Sequence, residues 1–275
     1  MSAAGKLYPP RVAWEGPGGL QEDFIAAWGR PNGDFQPEHV EVLGQTGSGK
    51  SYWEKRVLEE RVKLRGSHVV VLLTKPTDKT WAASDWPVIT KWPPSKWKEE
   101  NRQVIYHAAS RGLGRAALAR QSAQVEELLD ALWHKDANVI LAVDEIAYVE
   151  QELGLRTHMT TYLREGRTLG ITVLASTQRP AGVSRAVHSE TGWAVAFAPK
   201  DEDDAERVAQ ILGEKKHYAE VLMDLDREKR EFVIVHTLTR EAYISHIPGP
   251  KRAKKAAPKK DEVEPGTRRR GARAS

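Results

Sequence analysis

The chain has 275 residues, enough for one large domain or two small ones, with 40% hydrophobic and 29% charged residues, as in an ordinary soluble protein. It has no cysteine, which excludes disulfides, thiolate metal sites and thiol nucleophiles. The net charge of +4 is uneven: residues 249–275 carry ten Lys/Arg against three Asp/Glu, a net +7, which leaves −3 for the rest. That tail has no large apolar side chain except Val263, so it is expected to be disordered, either solubilising the protein or touching nucleic-acid phosphates. No stretch reads as a signal peptide or a membrane span, so the expected location is the cytoplasm.

In chain order, "LQEDFIAAWGR" sets Leu20, Phe24, Ile25 and Trp28 on one helical face, with Gly29 as a stop and "PNGD" as a turn. This makes residues 1–37 an N-terminal extension with a short helix, ahead of a domain spanning 38–248. A strand is expected at His39 to Leu43, a helix at Lys50 to Leu64 and a buried strand at His68 to Thr74. Residues 75–101 break the pattern with Trp81, Trp86, Trp92 and Trp97 among lysines and prolines. Such an insert either stacks on single-stranded bases or packs onto a core or neighbouring subunit, and packing is the commoner use of tryptophan. Further on, strands are expected at Gln103 to Ala108, Asn138 to Glu145, Ile171 to Thr177 and Gly192 to Ala198. Helices are expected at Gly114 to His134, at Gln151 to Glu165 and over "DDAERVAQILG". The closing "EFVIVHTLTREAYISHI" reads as an antiparallel edge hairpin turning near Thr239 and Arg240. Apolar strands alternating with helices predict an α/β fold, a mostly parallel sheet with helices on both faces.

The stretch Gly44-Gln45-Thr46-Gly47-Ser48-Gly49-Lys50-Ser51 lies between a strand and a helix and has the P-loop spacing. Its glycines let consecutive backbone N–H groups surround phosphates, with the helix N-terminus aimed at the same anion. Lys50 would reach the β- and γ-phosphates of ATP, and Ser51 would give a hydroxyl to Mg²⁺. In "VILAVDE", Asp144 and Glu145 end an apolar strand, where open parallel sheets place ligands. Asp144 would hold the magnesium through water and Glu145 would polarise the attacking water. In "LASTQRP", Gln178 closes the next strand as a neutral amide able to meet both γ-phosphate and water. The two acidic and glycine-rich motifs are expected at adjacent strand ends.

The P-loop "GQTGSGKS", "VILAVDE" and "REGRTLGITVLASTQRP" together resemble the FtsK/HerA superfamily of ring-forming P-loop ATPases, over roughly residues 39–247. The resemblance implies a RecA-like core, usually hexameric, that moves or remodels double-stranded DNA with ATP, here in a compact version from a phage or mobile element. Ring ATPases complete the site with an arginine from the neighbouring subunit. Arg167 is the first choice for it and Arg164 the second, with Arg156 and Arg179 behind them. The alternative function is a nucleotide-dependent switch or assembly ATPase with slow hydrolysis and protein partners.

Overall fold

The computed structural model describes residues 8–28, 38–63, 68–94, 103–108, 112 and 114–248. The turn at 31–34, Trp97 and the basic tail lie outside the described residues. Helix α1 (Leu20–Trp28) precedes strand β1 (His39–Leu43), helix α2 (Lys50–Arg61) and strand β2 (His68–Leu73). A short helix α3 (Lys79–Ala82), capped by the Asp78 side chain, and a two-residue strand β3 (Val88–Ile89) lie within the tryptophan-rich segment. Then come β4 (Gln103–His107), α4 (Arg115–Leu132) and β5 (Val139–Val143). They are followed by α5 (Ile146–Gln151), α6 (Arg156–Glu165) and β6 (Ile171–Thr177). The chain continues with α7 (Arg185–Ser189), β7 (Thr191–Phe197), α8 (Glu202–Ile211) and α9 (Lys215–Met223). It closes with β8 (Glu231–His236) and β9 (Ala242–His246).

The strands form one sheet in the order β3-β4-β2-β5-β6-β1-β7-β8-β9. All neighbours pair in parallel up to β7, and β8 and β9 close one edge as an antiparallel pair. The expected α/β architecture, with its edge hairpin, is therefore the observed one. Sequence and structure differ between Asp144 and Glu165. One helix from Gln151 was expected, but α5 already starts at Ile146, and Gly154 at φ 71° separates it from α6. That left-handed glycine ends the first helix and lets the second leave in a new direction. Helix α9 was not anticipated at all.

Both faces of the sheet are covered, because successive strand residues point to opposite sides. Val70 and Leu72 of β2 join Leu141 and Val143 of β5 under α4, α5 and α6. Val69 and Val71 point the other way, into a core shared with Val40, Val42, Ile140 and Leu174. That second core is rich in aromatics. Trp53 of α2 lies 5.7 Å from Trp14 and 5.8 Å from Phe24, and Trp14 in turn meets Phe232 of β8 edge-on at 5.3 Å. The segment before β1 thus clamps α2 from outside and fixes where Lys50 and Ser51 sit. Trp81 and Trp86 are 1% and 5% exposed and lie 5.5 Å apart in the same core, so these two tryptophans are used for packing.

Candidate nucleotide site

Residues Gly44 to Ser51 turn from the carboxyl end of β1 into α2, whose helical span begins at Lys50. Gly49 caps the helix at φ 110°, a conformation that side-chain-bearing residues rarely adopt. Gly44 is needed for a different reason. A Cβ there would stand 2.7 Å from Ser48 Oγ and 3.0 Å from Phe197 Cβ, so the loop could not close. Gly47 lies at φ 84° with open space around it. Lys50 is buried, and Ser48 Oγ is buried without a hydrogen-bond partner. Gln45 props the loop from outside by donating to Asp204 Oδ2 at 2.8 Å, near the start of α8.

The acidic pair does not sit on the strand next to β1. Strand β6 lies between β5 and β1, with Val143 of β5 opposite Ala175 and Leu43 of β1 opposite Thr177. The expectation of adjacent strand ends is corrected by this order, and the inserted strand is what links the two motifs. Glu145 accepts from Thr177 Oγ1 at 2.7 Å and from the Gln178 N–H at 3.3 Å. Gln178 Oε1 accepts from Thr46 Oγ1 at 2.6 Å. Glu145, Gln178 and Thr46 thus form a continuous polar bridge from the acidic strand end to the phosphate loop.

Asp144 is buried; its Oδ1 has no hydrogen-bond partner and its Oδ2 stands 2.7 Å from Lys75 Nζ. Lys75, just past β2, escaped the sequence reading. Burial works against its ammonium, but the Asp144 carboxylate outweighs that and holds its pKa above the ordinary value. Position alone could have flagged it, since it follows a parallel strand at the edge where ligands bind. Glu54 was also missed. It lies one helical turn after Lys50, fully buried, and accepts from Ser176 Oγ at 2.5 Å. Burial raises its pKa against the opposing pull of the Lys50 charge.

Among the described residues, no cluster of three or more His, Cys, Asp or Glu is arranged to hold a metal alone. Mg²⁺ seldom needs one, because it binds through one or two protein oxygens plus phosphates and water. The unpartnered buried Asp144 Oδ1 is the feature that fits such a cation. Arg156, Arg164 and Arg167 lie apart from this cluster. Arg167 sits on the 3-10 turn Gly166–Leu169 before β6, at the opposite end of the strand from Gln178. The seven residues of β6 at about 3.3 Å each separate it from its own phosphate loop by on the order of 20 Å. Arg164 and Arg156 lie 4.0 Å from Glu190 and Glu150, and Arg179 is exposed beside Gln178.

No family model matches the chain, and no curated protein is similar enough in sequence to match it. Solved structures do match. The genome packaging NTPase B204 of Sulfolobus turreted icosahedral virus 2 superposes with a TM-score of 0.56 at 16% identity. That match covers 77% of this chain and 96% of the viral one. VirB4 of Thermoanaerobacter pseudethanolicus gives 0.62 at 10% identity, over 91% and 98% of the two chains. ATPases 2 and 3 of EssC from Geobacillus thermodenitrificans give 0.51 at 14%, over 76% of this chain and 39% of that one. These are P-loop ATPases of the FtsK/HerA type, and the chain has their fold.

Proposed function

We propose that the protein is an ATP-hydrolysing, ring-forming motor that acts on double-stranded DNA. The observation that carries the reading is the bridge from Glu145 through Gln178 to Thr46, which ties the water-activating position to the phosphate loop. Backbone N–H groups of residues 44–51 would surround the phosphates, with Lys50 adding charge over the β- and γ-groups. Glu145, oriented by Thr177 and Gln178, would take the proton as water oxygen attacks the γ-phosphorus. The bond to the bridging oxygen then breaks and ADP leaves. Ser51 and Asp144 would hold Mg²⁺, which when bound withdraws charge from the phosphate oxygens. Gln178, touching both Glu145 and the loop, is placed to report whether the γ-phosphate is present.

Ring formation, with a hexamer as the size the family resemblance implies, is part of this reading. The position of Arg167, too far along β6 to serve its own site, supports a neighbour as its target. B204 of Sulfolobus turreted icosahedral virus, a DNA-packaging ATPase of similar fold, supports DNA as the track. The +7 tail would add phosphate contacts. No described helix is long and apolar enough to cross a membrane, and the proposed place of action is the cytoplasm, the host's if a phage encodes the protein. The deciding measurement is ATP hydrolysis with and without double-stranded DNA, together with particle mass in ATP. Hydrolysis stimulated by DNA on a multimeric particle supports the motor. Slow hydrolysis indifferent to DNA replaces it with a nucleotide-dependent switch or assembly ATPase.

A further inference from the structure

The turn between α9 and β8, Asp226 to Arg230, carries three cations, and two of them are already engaged. Arg227 donates to the carbonyls of Pro199 and Lys200. Lys229 pairs with Asp226 at 2.9 Å, and Glu231 is held by Arg11 at 3.3 Å. Arg230 is the exception. Its side chain has no hydrogen-bond or ion-pair partner among the described residues, although the residue is half-buried. Its backbone sits at φ 57°, in the left-handed region that arginine rarely enters.

Its surroundings give this conformation a purpose. Because β8 runs antiparallel to β7, with Phe232 opposite Phe197, the residues before β8 are returned to the edge where the phosphate loop lies. Arg230 packs along Gly49, where an added Cβ would come within 3.1 Å of Arg230 Cδ and 3.3 Å of its Cβ. The cavity beside it is lined by Gln45 to Ser48 of the loop, together with Lys200 and Arg227. Strained backbone, an uncommitted guanidinium and the phosphate cradle therefore coincide.

Direction along the loop says which phosphate is concerned. Glu145 and Gln178, on the β5–β6 side of β1, mark the γ-phosphate end. Arg230 stands on the β7–β8 side. Resting on the nucleotide-binding reading above, we infer that Arg230 is a same-subunit ligand of the α- and β-phosphates, the diphosphate that remains after hydrolysis. A guanidinium suits this task because its fork of donors meets two phosphate oxygens at once.

The test compares full-length wild type, Arg230→Gly and Arg230→Lys by calorimetric titration with ADP and with a non-hydrolysable ATP analogue, in magnesium. Glycine accepts a positive φ without strain, so Arg230→Gly should melt at or above the wild-type temperature. Both nucleotides should bind it about ten- to a hundredfold more weakly, by the same factor, as expected for loss of a hydrogen bond to a charged group. Arg230→Lys should fall between. Loss confined to the ATP analogue would overturn the inference, because the arginine would then read the γ-phosphate. Unchanged affinities for Arg230→Gly would overturn it too. Wild type that binds neither nucleotide would instead remove the nucleotide reading on which it rests.

Discussion

Buried polar groups at the two ends of the parallel strands, His39 at one and Asp144 with Ser48 at the other, are treated in opposite ways. At the amino end of β1, His39 is buried with both ring nitrogens engaged. Nδ1 accepts from the Val173 N–H at 2.9 Å and Nε2 meets the Leu163 carbonyl at 2.8 Å. An amide N–H can only donate, so Nδ1 must be bare and the ring neutral. At the carboxyl end of the neighbouring strands, Asp144 Oδ1 and Ser48 Oγ are just as buried and have no hydrogen-bond partner. Natural folds rarely leave such atoms unsatisfied without a ligand or a catalytic use. At His39 the edge is closed by backbone groups, and at Asp144 and Ser48 the other edge is left open to something that binds. Substitutions at the first should cost stability, and those at the second should cost chemistry.

Arg167 is the residue most able to break that division, because it belongs to the closed edge yet is proposed to act on a neighbour's nucleotide. Arg167→Ala should lower hydrolysis by on the order of a thousandfold or more while ATP still binds. Mixing it with Lys50→Ala chains should restore part of the rate, since an intact site can then meet an intact arginine. Wild-type activity per chain should also rise with concentration. A flat specific activity and no rescue would return Arg167 to a purely structural role. The next largest effect belongs to the open edge. Glu145→Gln should slow turnover by about a hundredfold to ten-thousandfold, with ATP affinity and melting temperature close to wild type. Turnover at the wild-type rate would mean that another group receives the proton.

The closed edge has its own signature, in pH. Burial first, and the Arg167 charge after it, press the His39 pKa down from 6.5 to about 4, against the raising effect of its Leu163 bond. The folded protein therefore binds fewer protons than the unfolded chain between those values. The stability contributed is full above about pH 6.5 and is lost as pH falls through about 4. The shift corresponds to on the order of 3 kcal/mol. Unfolding midpoints in urea should drop on acidification, and His39→Gln should flatten that drop. If the variant and wild type lose stability in parallel, His39 is not the group being protonated.

Sequence alone made the open edge legible where chemistry is contiguous. Gly44 to Ser51, Asp144-Glu145 and Thr177-Gln178 are each short runs whose spacing carries their meaning, and the structure brings them to one strand edge. The alternation of apolar strands and helices likewise sufficed for the sheet and its edge hairpin. What stayed hidden depends on which strands become neighbours. Nothing local says that β6 enters between β5 and β1, that Lys75 faces Asp144, or that the turn before β8 folds back over Gly49. Helix α5 was missed because its six residues, Ile146 to Gln151, are too few to show a period. Glu54 looked like one more charge on a helix rich in them, and only packing against Ser176 shows it to be buried.

The smallest expected effect tests whether the bridge across the open edge works as one unit. Thr46 Oγ1 donates to Gln178 Oε1 at 2.6 Å in an exposed position, so the bond itself stabilises the fold by only about 1 kcal/mol. Thr46→Val keeps the branched shape and removes the donor, and should reduce ATP turnover by no more than about tenfold. Gln178→Ala removes the acceptor and also the amide proposed to sense the γ-phosphate, so its effect should be the larger of the two. If the hydrogen bond is the route by which Gln178 is positioned, losing Thr46 should matter little once Gln178 has gone. The double variant should then resemble Gln178→Ala, with a coupling of about 1 kcal/mol in the activation free energy. Fully additive losses would mean that each residue acts on the nucleotide separately. The link between the phosphate loop and the acidic strand would then run through the Gln178 backbone N–H and Glu145 alone, leaving the Thr46 hydroxyl outside the catalytic path.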